Sequence, residues 1–145
     1  MGVDVTVSTV IARPRDVVAT FAADPTNAPV WYRRIASVEW RTSPPVGVGS
    51  EMDFVARFMG RRLAYTYVVR ELIAGERLVM STAQGPFPME TTYTWADAGD
   101  GTRMSLRNRG NPGGLWRLFA PVMASSVRRA TSGDLAELKA QLEAA

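Results

Sequence analysis

The chain contains no cysteine and no histidine, and a single lysine, Lys139, among its seventeen basic residues. Each absence removes a class of chemistry. Without cysteine there is no disulfide and no thiolate nucleophile. Without histidine the usual general base near neutral pH and the commonest metal ligand are both missing, which excludes a Ser-His-Asp triad and a zinc site. Any catalysis has to come from Asp, Glu, Tyr, Arg, Lys139 or hydroxyl groups. Gly47-Val-Gly49 lacks the lysine and following helix of a phosphate loop. Asp97-Ala-Gly-Asp-Gly101 lacks the spacing of a calcium loop. Both are read as turns, the first with the option of a flexible lid, and neither a metal nor another cofactor is expected.

Long apolar runs are absent as well. None approaches the ~20 residues of a membrane span, and the first residues lack the basic-then-apolar layout of a secretion signal. The expectation is a cytoplasmic protein without stable membrane insertion. Its 145 residues, 46% hydrophobic and 21% charged, suffice for one domain, 1–145, with its own core. The sixteen arginines leave a net charge of +3. They are dispersed, with Arg33-Arg34, Arg61-Arg62 and Arg128-Arg129 as the only adjacent pairs. No element interleaves them with exposed aromatics as a single-strand binder would. They are read as a solvated surface, and nucleic acid is not an expected partner.

What is present is alternation. Val3 to Ile11 reads as a half-buried strand. Pro14 and Asp16 open a short amphipathic helix that breaks at Asp24-Pro25. A second helical segment, about Thr26 to Arg34, carries Val30 and Trp31. Ile35 to Trp40, Ser50 to Phe58, Arg61 to Glu71 and Glu76 to Thr82 follow as strands. A two-residue turn at Met59-Gly60 puts Met52, Phe54, Ala56, Leu63, Tyr65, Tyr67 and Val69 on one face and the charged residues, Arg70 among them, on the other. The last hairpin pivots on Asp97 to Gly101. It brings Phe87, Met89, Thr91, Tyr93 and Trp95 to the same side as Met104, Leu106 and Asn108. From Gly114 the period becomes helical. Leu115, Leu118, Phe119, Val122 and Ser126 share one arc, and Thr131, Leu135, Leu138 and Leu142 another about half a turn away. Pro121 and Gly133 are places for a bend. Six or seven antiparallel strands, two short helices and one long terminal helix make an α+β layout. A curved sheet around a helix leaves a cavity wherever side chains do not fill it.

The order of elements resembles the START-like, or SRPBCC, superfamily (polyketide cyclase/dehydrase and lipid transport). The wording that carries the resemblance is "RPRDVVATFAADPTNAPVWYRRIASVEW" (Arg13 to Trp40), "PVGVGSEMDF" (Pro45 to Phe54), "GRRLAYTYVVRELIAGERLVMST" (Gly60 to Thr82) and "GDGTRMSL" (Gly99 to Leu106), followed by the long helix. The resemblance implies a helix-grip fold enclosing an apolar ligand tunnel. It also implies that the first helices and the loop around Gly47 and Gly49 lie near the tunnel mouth, with Trp31 beside the entrance. From the residues alone, Trp31 reads equally well as a wedge pinning the second short helix to the sheet.

An inward face that keeps polar groups needs a reason. Thr91, Tyr93, Asn108, Tyr65 and Tyr67 would each be costly if dry and unpaired, roughly 1–3 kcal/mol apiece. The expectation is therefore a mainly apolar pocket of about 300–1,000 Å³ between sheet and helix. For Asn108 a backbone cap at the Gly110-Asn111-Pro112 turn competes with a place in the pocket. Phe54, Met80, Met89, Leu115, Phe119 and Met123 supply the apolar lining, methionine being suited to variable shapes. The expected partner is a hydrophobic small molecule: a lipid, a polyketide or an aromatic compound. Two other functions stay open. One is a polyketide aromatase/cyclase working by aldol chemistry, against which the sequence offers no pocket arginine on the central strand. The other is a protein-interaction module using the arginine-rich surface.

Overall fold

The computed structural model describes residues 2–58, 60–84, 88–110 and 120–145. The elements run β1 (Val3–Ile11), α1 (Arg15–Ala23), a 3-10 turn (Pro25–Asn27), α2 (Ala28–Trp31), β2 (Ile35–Trp40), β3 (Glu51–Phe58), β4 (Arg61–Ile73), β5 (Arg77–Gln84), β6 (Met89–Ala98), β7 (Gly101–Gly110) and α3 (Ala120–Ala144). Seven strands form one antiparallel sheet in the order β1-β7-β6-β5-β4-β3-β2. The two strands that flank α1 and α2 in sequence thus lie at opposite edges, and the helical insert spans the distance between them.

Local chemistry sets the boundaries. Asp24 precedes a proline and is extended, at φ −81° and ψ 112°, as the ring of Pro25 demands. Its carboxylate accepts the Thr26 N–H at 3.0 Å, an N-cap for the turn that follows. The segment expected as one helix over Thr26 to Arg34 is shorter, a 3-10 turn and a single α-turn ending at Trp31. The last hairpin turn is also tighter than expected. Only Gly99 and Asp100 lie between β6 and β7, with Gly99 at φ +61°, where a Cβ would be strained.

The pairing Phe54↔Tyr65 and Met52↔Tyr67 puts the expected β3 and β4 residues on the concave face. Thr91↔Asn108 and Tyr93↔Leu106 do the same for β6 and β7. On the convex face four strand arginines meet carboxylates, Arg62 with Glu39, Arg77 with Glu71, Arg107 with Asp4 and Arg109 with Glu90, and Arg41, just past β2, meets Asp53. Part of the arginine-rich surface is thereby neutralised in pairs.

Helix α3 corrects the sequence reading. Thr131, Leu135, Leu138 and Leu142 are buried as expected. The stripe then continues backwards through Val127 and Met123, both half-buried, at the four-residue step that keeps one face. Val122 is 69% exposed, so the expected second arc does not face the sheet there. Leu115, Leu118 and Phe119 lie outside the described residues. At the other end α3 is tied to edge strand β1. Lys139 Nζ donates to Val10 O at 2.7 Å, the Ala12 N–H donates to Glu143 Oε2 at 2.8 Å, and Arg13 Nη1 donates to Leu142 O at 2.8 Å. Polar atoms of a sheet edge that would otherwise invite another strand are occupied by the helix.

The sealed part of the core gathers Ile11, Val18, Leu78, Trp95, Met104, Leu106, Leu135, Leu138 and Leu142. Trp31 belongs with it. It is 1% exposed, lies 4.1 Å from the Tyr32 ring and 5.7 Å from that of Tyr93, and wedges α2 against the sheet. The indole N–H groups of Trp31 and Trp95 are buried without a partner among the described residues.

Candidate ligand cavity

Beyond the sealed core, the sheet and the first half of α3 diverge around a cavity of about 400 Å³. Phe54, Tyr65 and Tyr67 form one wall from β3 and β4, and Met80, Met89, Thr91 and Asn108 another from β5, β6 and β7. Met123, Ser126 and Val127 close it from the helix, and Tyr32, Arg34 and Ile35 from the α2–β2 connection. A wider depression of about 720 Å³ beside Asp4, Met89 and Arg109 is an open groove at the edge of the ion-paired convex face, not an enclosure.

Of the residues expected to line a pocket, Phe54, Tyr65, Tyr67, Met80, Met89, Thr91, Asn108 and Met123 border this cavity. Trp31 and Tyr93 do not: each stands behind the wall, because a large ring packed against the sealed core leaves no space beside it. Leu115 and Phe119 are outside the described residues. The loop at Gly47 and Gly49 is not at this opening. Gly49 N–H donates to Val69 O at 2.9 Å and Ser50 N–H to Gly47 O at 3.0 Å, which fixes it as a turn against β4. Tyr32, Arg34, Ile35, Ser126 and Val127 were not foreseen. Arg34 supplies the pocket arginine that the central strand lacks, and it comes from the connection after α2.

The polar groups are organised in a layer between cavity and core. The Thr91 hydroxyl donates to Asn108 Oδ1 at 2.8 Å, and Asn108 Nδ2 donates to Thr131 Oγ1 at 3.2 Å. Asn108 therefore ties two strands to α3 through side chains, and it borders the cavity as well. Next to it the Tyr32 and Tyr93 hydroxyls share a hydrogen bond. Burial pushes both phenols well above their ordinary range, and each is further raised by the charge of Asp134. Burial raises Tyr67 too, against the opposing pull of the Thr91 hydroxyl. These phenols stay neutral near pH 7, so they donate and accept hydrogen bonds but do not act as bases. Asp134, 8% exposed, accepts the Arg33 N–H at 3.1 Å and holds the connection that carries Tyr32 and Arg34. Its carboxyl is raised, chiefly by burial.

A cavity walled by an antiparallel sheet and a terminal helix, floored by neutral phenols, is the arrangement to compare with known proteins. The sequence matches the family model described as polyketide cyclase/dehydrase and lipid transport over residues 2–143. The chain belongs to this family. Among curated proteins none matches the sequence. Solved structures with the same fold include a protein of Thermus thermophilus at 19% identity and TM-score 0.82, with 97% of each chain covered. An aromatase/cyclase from a Streptomyces species matches at 15% identity and TM-score 0.80, covering 99% of this chain and 94% of that one. A START superfamily protein of Mycobacterium smegmatis matches at 15% and 0.70, covering 97% and 94%. The family member therefore has the START-like, helix-grip fold. Among the described residues no cluster of three or more His, Cys, Asp or Glu side chains is placed to hold a metal. No described helix is long and apolar enough to cross a membrane.

Proposed function

We propose that the chain acts as one domain that binds a hydrophobic small molecule in the cavity between sheet and α3, within the cytoplasm. The observation that carries this reading is the wall itself. Phe54, Met80, Met89, Met123 and Val127 give an apolar enclosure of about 400 Å³, within the size range of small-molecule sites. A few hydroxyls and one amide at its floor fix orientation. Native mass spectrometry of the purified protein and fluorescence titration with N-phenyl-1-naphthylamine test it. Saturable binding that is lost in Val127→Trp, a variant that fills the cavity from the helix and leaves the fold intact by circular dichroism, is the expected result. No bound ligand and no dye binding would overturn it.

A second reading, a polyketide aromatase/cyclase, gains support from one observation: Arg34 and the neutral phenol of Tyr32 border the same space. Donors of this kind stabilise a developing enolate. What the wall lacks is a base, since among the described residues no carboxylate borders it and the raised phenols hold their protons. Incubation with a reduced poly-β-ketone decides between the readings, because a cyclase changes the product regiochemistry and a binder does not.

A further inference from the structure

Among the described residues, the polar side chains around the cavity are uncharged, with one exception. Tyr32, Tyr65, Tyr67, Thr91, Asn108 and Ser126 bring hydroxyls and an amide, and Arg34 brings the one charge found among them. Arg34 forms no ion pair among the described residues. This contrasts with Arg41, Arg62, Arg77, Arg107 and Arg109, which are paired on the convex face. Asp134, the acid whose charge interacts with Arg34, stands behind the wall and already accepts the Arg33 N–H.

The Tyr32–Tyr93 pair adds a proton count. Two hydroxyls carry two protons, and their mutual hydrogen bond uses one. Either hydroxyl can donate in that bond; Tyr93 lies behind the wall and Tyr32 on it, and when Tyr93 donates, the Tyr32 proton is free for a ligand. The α2–β2 connection then presents a guanidinium and a phenol hydroxyl two residues apart. A neutral ligand that covers Arg34 strips water from a charge and returns nothing. An oxyanion returns charge-assisted hydrogen bonds in the fork geometry that suits arginine.

We propose that the cavity takes an amphiphilic anion, with its apolar body against Phe54, Met80, Met89 and Met123 and its carboxylate or equivalent oxyanion on Arg34 and the Tyr32 hydroxyl. This rests on the ligand-binding reading above and narrows it to a chemical class. The test compares two dyes with the same anilinonaphthalene body, neutral N-phenyl-1-naphthylamine and anionic 8-anilino-1-naphthalenesulfonate, by fluorescence titration. Wild type is expected to bind the anionic dye about tenfold more tightly, the scale of a charged hydrogen bond. Arg34→Gln abolishes that preference, read as the ratio of the two dyes' affinities. Tyr32→Phe weakens the anionic dye alone, by less. Arg103→Gln removes the same charge from the convex face and leaves the preference unchanged. An Arg34→Gln protein that keeps the preference overturns the inference, as does an Arg103→Gln protein that loses as much of it. Equal binding of both dyes by wild type overturns this inference alone, whereas binding of neither overturns the ligand-binding reading together with it.

Discussion

Thr91 and Asn108 face each other across the β6–β7 pair, and the Thr91 hydroxyl donates to Asn108 Oδ1 at 2.8 Å. Because Asn108 Nδ2 also reaches Thr131 at 3.2 Å, one amide joins the sheet to α3. Thr91 and Thr131 are both buried, so Asn108→Ala leaves two hydroxyls short of a partner. Stability measured by urea unfolding should fall by about 1–3 kcal/mol. A change within about 0.5 kcal/mol, typical of a neutral surface site, would show that the layer does not depend on this amide.

Two glycines should respond to alanine in opposite directions. A Cβ on Gly101 would lie 2.5 Å from the Ile11 carbonyl oxygen, a backbone atom that has no room to retreat. Gly101→Ala should lose about 1–3 kcal/mol. A Cβ on Gly133 meets nothing closer than the Arg33 guanidinium at 3.6 Å, and the site is inside a helix. Gly133→Ala should gain about 0.4–1 kcal/mol, largely by restricting the unfolded chain. Thermal unfolding of the two variants side by side checks both signs.

The buried tyrosines predict an alkaline limit. Tyr32, Tyr67 and Tyr93 are raised above 10 in the folded protein. Their contribution is complete below the unfolded value near 10 and is lost as pH rises through the folded values. The melting temperature should therefore drop steeply above about pH 10, and Tyr93→Phe should flatten that drop by removing one titrating group. An identical slope in the variant would contradict the burial of Tyr93.

Asp134 carries the opposite kind of test, at acid pH. Its carboxyl is raised above 3.8, burial being the main cause. A raised folded value means that its contribution is present below 3.8 and is lost as pH rises through the folded value. Asn keeps an acceptor for the Arg33 N–H without the charge. The stability of Asp134→Asn relative to wild type should therefore increase between pH 4 and pH 7 in parallel denaturation curves. A difference that shrinks over that range would overturn this account.

Strand alternation made the sheet legible in the sequence. Val3 to Ile11 alternates without interruption and is β1 to the residue, and a two-residue turn after Phe58 sufficed to fix the β3–β4 register. The cavity was less legible for two physical reasons. Tyr32 and Arg34 sit where α2 has ended and β2 has not begun, so no period says which way they point. The second reason lies in α3: the arc read from the sequence runs through Val122 and Ser126, whereas stepping back by fours from Thr131 leads to Val127 and Met123, which meet the cavity. Trp31 and Tyr93 illustrate the complementary error. Aromatic size alone does not distinguish a wall from the packing behind it.

The attachment of α3 is uneven along its length, and that makes it a lever with a fixed end. Its last turns hold Leu135, Leu138 and Leu142 in the core and are fastened to Val10, Ala12 and Arg13. Its first described turns carry exposed Pro121 and Val122 and rest on Met123 and Val127 above a hollow. A single helix should then show graded amide-exchange protection, near-global around Leu138 and much weaker around Val127. Whatever enters the cavity would stiffen the first described turns most, so the exchange gradient itself would report occupancy.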